Sequence, residues 1–157
     1  ERKTKIMSEA DKEMTAYHEA GHALVGHLLP DADPVHKVTI IPRGSTGGVT
    51  WSLPLEDKNY TSIVEFKDML AVAMAGRAAE KLKYGPEKVT TGAGSDFRKA
   101  TDISRNMVIE QGMGSKLRDQ VFHEDSGGMM FDRMVHSRPY SADTAKDISH
   151  EVEVLLK

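Results

Sequence analysis

Two histidines and a glutamate stand close together near the start of the chain, in Thr15-Ala16-Tyr17-His18-Glu19-Ala20-Gly21-His22. On a helix, residues four apart share a face, so His18 and His22 point the same way. Their ring nitrogens can then meet at one metal ion, about 2.0–2.1 Å from each. Glu19 lies about 100° around the helix from His18 and is closer to His22. It is too far round to be an ideal third ligand from the same turn, yet near enough to take a proton from a water at that metal. One short segment therefore offers two metal ligands and a general base, the groups that metal-assisted hydrolysis requires.

A catalytic zinc takes three protein ligands and keeps one position open. One group of enzymes with this motif adds a histidine at a fixed distance downstream, preceded by a glycine. Those positions are Leu28 and Val25 here, and His27 is out of register. A cysteine ligand is ruled out because the chain has no cysteine. A downstream carboxylate remains, either Glu80 or Asp96, and spacing alone does not choose between them. Each also has a simpler role: Glu80 can pair with Arg77, Lys81 or Lys83, and Asp96 can serve as an N-terminal helix charge. His36, His123, His136 and His150 sit in no ligand pattern.

The elements that must position these groups are mostly helical. Ser8 is an N-cap candidate, Pro30 and Pro34 are stops, and the first helix is expected over about 8–29. Met14, Tyr17, Gly21, Leu24, Val25 and Leu28 recur at helical spacing along it. Gly21 weakens a helix by up to about 1 kcal/mol, which a close neighbour such as a second helix would explain. Two strand-like runs follow, 37–41 and 48–53, with Val49, Trp51 and Leu53 on one face of the second. They form a hairpin or ribbon that either seals the core or offers an edge to an extended peptide, with Gly47 and Gly48 allowing close backbone approach. Ser62-x-x-Glu65 is a capping box opening a second helix over about 62–84, and Gly85-Pro86 stops it. Ile63, Phe66, Leu70, Ala73, Met74 and Leu82 are its expected core stripe. A third helix is expected over about 95–111, irregular chain over 112–139, and a fourth helix from near Ser141. The expected class is mainly α, a helical array with a small β-hairpin or ribbon.

The chain has 157 residues, enough for one domain with its own core. Its net charge of −3 gives no reason to expect a nucleic-acid partner. No apolar run is long enough to cross a membrane. The chain opens at Glu1 and closes inside an amphipathic pattern at Ile148, Val152, Leu155 and Leu156, so a domain excised from a longer protein is expected. In that division residues 1–7 are a linker, and 8–157 form the domain that carries the zinc motif, cut within its C-terminal helix. A helical assembly module with a vestigial motif, or a hydrolase of small amides, are the competing readings. Metal analysis and protein digestion would separate them.

Further segments carry a resemblance: Gly47-Gly48-x-Thr50, Ala75-Gly76-Arg77-x-Ala79-Glu80, Thr91-Gly92-Ala93-x-x-Asp96, Ala100-Thr101, Arg105-Asn106-Met107-Val108, Gly112-Met113-Gly114 and Pro139-Tyr140-Ser141. Together with the histidine motif they make the chain resemble, in order and over nearly its whole length, the proteolytic domain of the FtsH family of membrane-anchored AAA+ zinc proteases. The resemblance implies that Asp96 is the third zinc ligand beside His18 and His22. It implies that Glu80 supports the site, and that the strand carrying Gly47 and Gly48 lies beside the substrate. One Zn²⁺ per domain is implied, with ATP and Mg²⁺ confined to an ATPase module upstream of residue 1. It further implies protein substrates, misfolded or short-lived, a homohexamer, and anchoring in a bacterial inner membrane or an organelle equivalent with this domain on the cytoplasmic side, the fragment itself being soluble. Ser95 departs from the Asn common in the family, and 126–137 matches only loosely.

Overall fold

Ser8 adopts an extended backbone and its side chain accepts from the Asp11 amide, which opens helix α1 at Glu9–Leu28. The computed structural model describes residues 7–41, 48–53, 59–122 and 140–157. Strands β1 (Val35–Thr39) and β2 (Val49–Ser52) pair antiparallel, with Thr39 opposite Val49 and Val38 opposite Thr50. The first strand begins two residues earlier than the β-branched run indicates, and its register shifts between Val35 and Lys37. Helix α2 (Ile63–Tyr84) carries both halves of the Ser62–Glu65 capping box. Gly85, at φ 86°, ends it in a conformation that side chains disfavour. Short 3₁₀ turns at Pro86–Lys88 and Thr91–Ala93 lead into α3 (Gly94–Ile109), and α4 spans Ala142–Leu155 behind its Ser141 cap. The mainly α class with a small antiparallel ribbon is what the spacing of apolar and capping residues led us to expect.

The chain divides into two compact units, Glu1–Ala100 and Thr101–Lys157. In the first, α1 packs along α2. A Cβ at Gly21 would stand 2.6 Å from the Ala75 carbonyl oxygen and 2.7 Å from the Ala79 Cβ, so the glycine is there for the close approach of α2. The apolar spacing of α1 misleads about what it buries: Leu24 and Leu28 are 59% and 69% exposed, whereas His18, Glu19, His22 and Gly26 are buried. On α2 the expected stripe holds at Leu70 and Ala73, but Leu82 and Ile63 are exposed. Trp51 and Leu53, expected on one face of the second strand, are also exposed.

In the second unit Val108, Ile109, Leu117 and Ile148 form a buried cluster with Phe122, Tyr140, Val152 and Leu155 packed on it. Glu151, on α4, is buried and accepts from the Ser115 and Lys116 amides at 2.6 Å each. The chain over 112–122 is irregular as expected, with positive φ at Gly112 and Asp119 and one bridge between Met113 and Arg118. The remainder of the expected irregular stretch, 123–139, lies outside the described residues, as do Gly47 and nearly all of the 1–7 segment.

Candidate metal centre

All the groups of the site belong to the first unit. His18 and His22 project from the buried face of α1 toward α2, and α2 makes room for them at Gly76. A Cβ there would fall 2.5 Å from His22 Nε2 and 2.6 Å from His18 Nε2. The Ala-Gly run of α2 therefore does more than allow tight helix packing: it leaves the space that the two rings face.

Each ring is held from behind through Nδ1. His22 Nδ1 donates to the Val72 carbonyl at 2.7 Å, and His18 Nδ1 donates to Glu80 Oε1 at 2.7 Å. Glu80 is 1% exposed, and its other oxygen accepts from the Thr90 amide at 2.7 Å. With Nδ1 carrying the proton, each neutral imidazole presents a bare Nε2 lone pair to the centre. The two Nε2 atoms are 3.0 Å apart, and Asp96 Oδ2 lies 3.1 Å from one and 3.6 Å from the other.

Three electron-pair donors thus crowd one point, an arrangement that repels itself unless a cation sits among them. Ligands at 2.0–2.1 Å around a tetrahedral ion would be spaced about 3.3 Å apart, which the observed separations bracket. Among the described residues, His18, His22 and Asp96 form the one such convergent group. Two imidazoles and one carboxylate with an open side suit a catalytic zinc. A proton on Nε2 can stand in for that cation: burial pushes the His18 imidazole down, but hydrogen bonds to Asp96 and Glu80 more than reverse this and raise it. Burial likewise opposes ionisation of Asp96, yet hydrogen bonds from His18 and His22 hold it well below the usual carboxylate range.

Glu19 faces the same cleft, a cavity of about 800 Å³ lined also by Gly48, Thr50, Trp51, Thr91 and Arg98. Thr50 Oγ1 donates to Glu19 Oε2 at 2.7 Å. Of the sequence candidates, His18, Glu19, His22, Glu80, Asp96 and Gly48 come together, and Gly47 lies outside the described residues. His27, His36 and His150 are exposed and form no part of this group. Spacing gave no sign of the Val72 carbonyl, a backbone atom that only helix packing brings to His22. Nor did it single out Thr90, whose signal was limited to its place beside the Thr91-Gly92 turn.

The family model described as Peptidase family M41 matches residues 5–157. This chain belongs to Peptidase family M41. As a member it is 48% identical over 157 residues to the ATP-dependent zinc metalloprotease FtsH of Rubrobacter xylanophilus, covering 99% of this chain and 24% of that protein. The protein of the same name from Haemophilus influenzae is 47% identical, with 99% and 25% covered. That from Buchnera aphidicola subsp. Schizaphis graminum is 42% identical, with 100% and 26% covered. The M41 chain thus spans about a quarter of the length of these curated relatives.

Proposed function

We propose that this chain is a zinc endopeptidase domain in which His18, His22 and Asp96 hold the metal and Glu19 is the general base. The observation that carries it is the convergence of two bare imidazole nitrogens and one carboxylate oxygen beside Glu19, inside a cleft of about 800 Å³. Zinc bound there supplies Lewis-acid chemistry, lowering the pKa of a water toward about 7 and polarising the scissile carbonyl. Glu19 removes a proton from the water as its oxygen bonds to the carbonyl carbon. The same carboxyl then gives that proton to the amide nitrogen as the C–N bond breaks, leaving one new carboxylate and one new amine. Glu80 holds His18 in the tautomer that ligation needs, a supporting role. Gly48, with Gly47 before it in the sequence, leads into the strand along which an extended peptide lies.

The whole protein is proposed to be an ATP-dependent, membrane-anchored protease of misfolded or short-lived membrane and soluble proteins, working as a homohexamer with this domain on the cytoplasmic side. The name ATP-dependent zinc metalloprotease, borne by relatives about four times as long, supports an ATPase module elsewhere in the protein. Among the described residues no helix is long and apolar enough to cross a membrane, so the anchor is assigned to another part. Hexamer and orientation rest on the resemblance to the FtsH family.

The test is Glu19→Gln. It keeps zinc at one per chain by metal analysis and lowers cleavage of an unfolded protein by about 10²–10⁴-fold. Undiminished cleavage would remove Glu19 as the base. Cleavage that survives complete removal of zinc would remove the metal from the reaction.

A further inference from the structure

One strand segment meets the proposed base from two directions. Residues two apart on extended chain share a face, and Gly48 and Thr50 both turn toward α1 at Glu19. We propose that Thr50 is a positioning residue for the Glu19 carboxylate, and that Gly48 preserves the space in which that carboxylate sits. This rests on the reading of Glu19 as proton acceptor.

Thr50 Oγ1 lies 2.7 Å from Glu19 Oε2 and 3.2 Å from the Glu19 backbone carbonyl oxygen. A hydroxyl has a single proton to give. The carboxylate is both nearer and the stronger acceptor, so it takes that proton. A glutamate side chain has several freely rotating bonds, and burial by itself does not select one direction for its end. The hydroxyl fixes one oxygen, Oε2, against β2 and leaves Oε1 to receive the proton from water.

Gly48 closes the other side. A Cβ at this position would stand 2.8 Å from both Cγ and Oε1 of Glu19, and 2.7 Å from Thr15 Cγ2. Any side chain there must displace the carboxylate or the strand. Thr50 is itself held in place, since its strand pairs with β1 through the Val38–Thr50 partnership. The small sheet therefore does two tasks with one face: it borders the peptide cleft and it aims the base. Gly-x-Thr is the sequence form of that geometry.

The test uses the full-length protein loaded with zinc, cleaving a fluorogenic unstructured peptide. Thr50→Val keeps the branched shape and removes the hydroxyl. Its kcat should fall roughly ten- to a hundredfold, the scale of a misplaced catalytic group, with KM, zinc content and thermal stability unchanged. Thr50→Ser should restore most of kcat, and Gly48→Ala should lower kcat while keeping zinc. A crystal structure of the Thr50→Val protein should show the Glu19 carboxylate turned from its place. Wild-type kcat in Thr50→Val, or a serine variant no better than valine, overturns the proposal. So does a loss matched by lower zinc content or stability, because Thr50 would then only tie strand to helix. Glu19→Gln assayed alongside separates the two readings. If that variant is active, the base assignment fails; if it is inactive while Thr50→Val is fully active, only the role of Thr50 fails.

Discussion

Glu80 and Asp96 are both acids near His18, and they differ in which nitrogen they meet. Glu80 takes the Nδ1 proton, whereas Asp96 faces Nε2 beside His22. An oxygen on the Nδ1 side is behind the ring and cannot share an ion with His22. Asp96→Ala should therefore lose stoichiometric zinc. Glu80→Gln should keep the site but weaken zinc affinity by about 10–100-fold, the usual effect of removing a group that orients a ligand histidine. Competition with a chelator of known affinity measures both. Zinc lost only in the Glu80 variant would exchange the two roles. Both carboxylates were visible in the sequence, but spacing could not rank them, because residues 62 and 78 positions from His18 are placed by packing and not by helical period.

The decisive feature at the scale of elements is the seam between α1 and α2. Small residues on both sides, Gly21 on one helix and Ala75, Gly76 and Ala79 on the other, let the backbones approach until the histidine rings fit over Gly76. In an isolated helix Gly→Ala is favourable by about 1 kcal/mol. At Gly76 the added methyl would collide with both Nε2 atoms. Gly76→Ala should thus keep its helical circular dichroism yet lose zinc and cleavage. Normal zinc content in that variant would mean that the rings do not face this point. The same seam explains why hydrophobic periodicity misplaced the buried face of α1. A helix usually buries its apolar stripe, but this one buries the polar face that carries the motif, and Leu24 and Leu28 are left exposed.

Across the whole molecule, chemistry and a conventional apolar core are assigned to different units. The first unit holds every group of the site; the second packs Val108, Ile109, Leu117 and Ile148 and anchors a loop on Glu151. Burial pushes the Glu151 carboxyl up, but the Ser115 and Lys116 amides and the Ser115 hydroxyl outweigh it and hold it below the ordinary value. A carboxyl lowered in the folded state adds stability above its unfolded pKa of about 4.3, and that stability is lost as pH falls through the folded value. Glu151→Gln should therefore destabilise the protein at neutral pH by about 1–3 kcal/mol. The gap to wild type should narrow under acid, as thermal melts at pH 7 and pH 3 would show. An equal gap at both pH values would assign the effect to shape and not to charge.

The sequence by itself determined the helix boundaries near 9, 28, 63, 84 and 142, because caps and stops act between neighbours in the chain: Ser8, Ser62, Gly85 and Ser141 all sit where their chemistry requires. It also placed His18, Glu19 and His22 together on one helix. Only the tertiary structure decided what completes them. Asp96, the Val72 carbonyl, the space over Gly76 and the Thr50 hydroxyl reach the motif across large separations in sequence. Contacts of that kind depend on how helices and a ribbon pack, and packing leaves no fixed period to read.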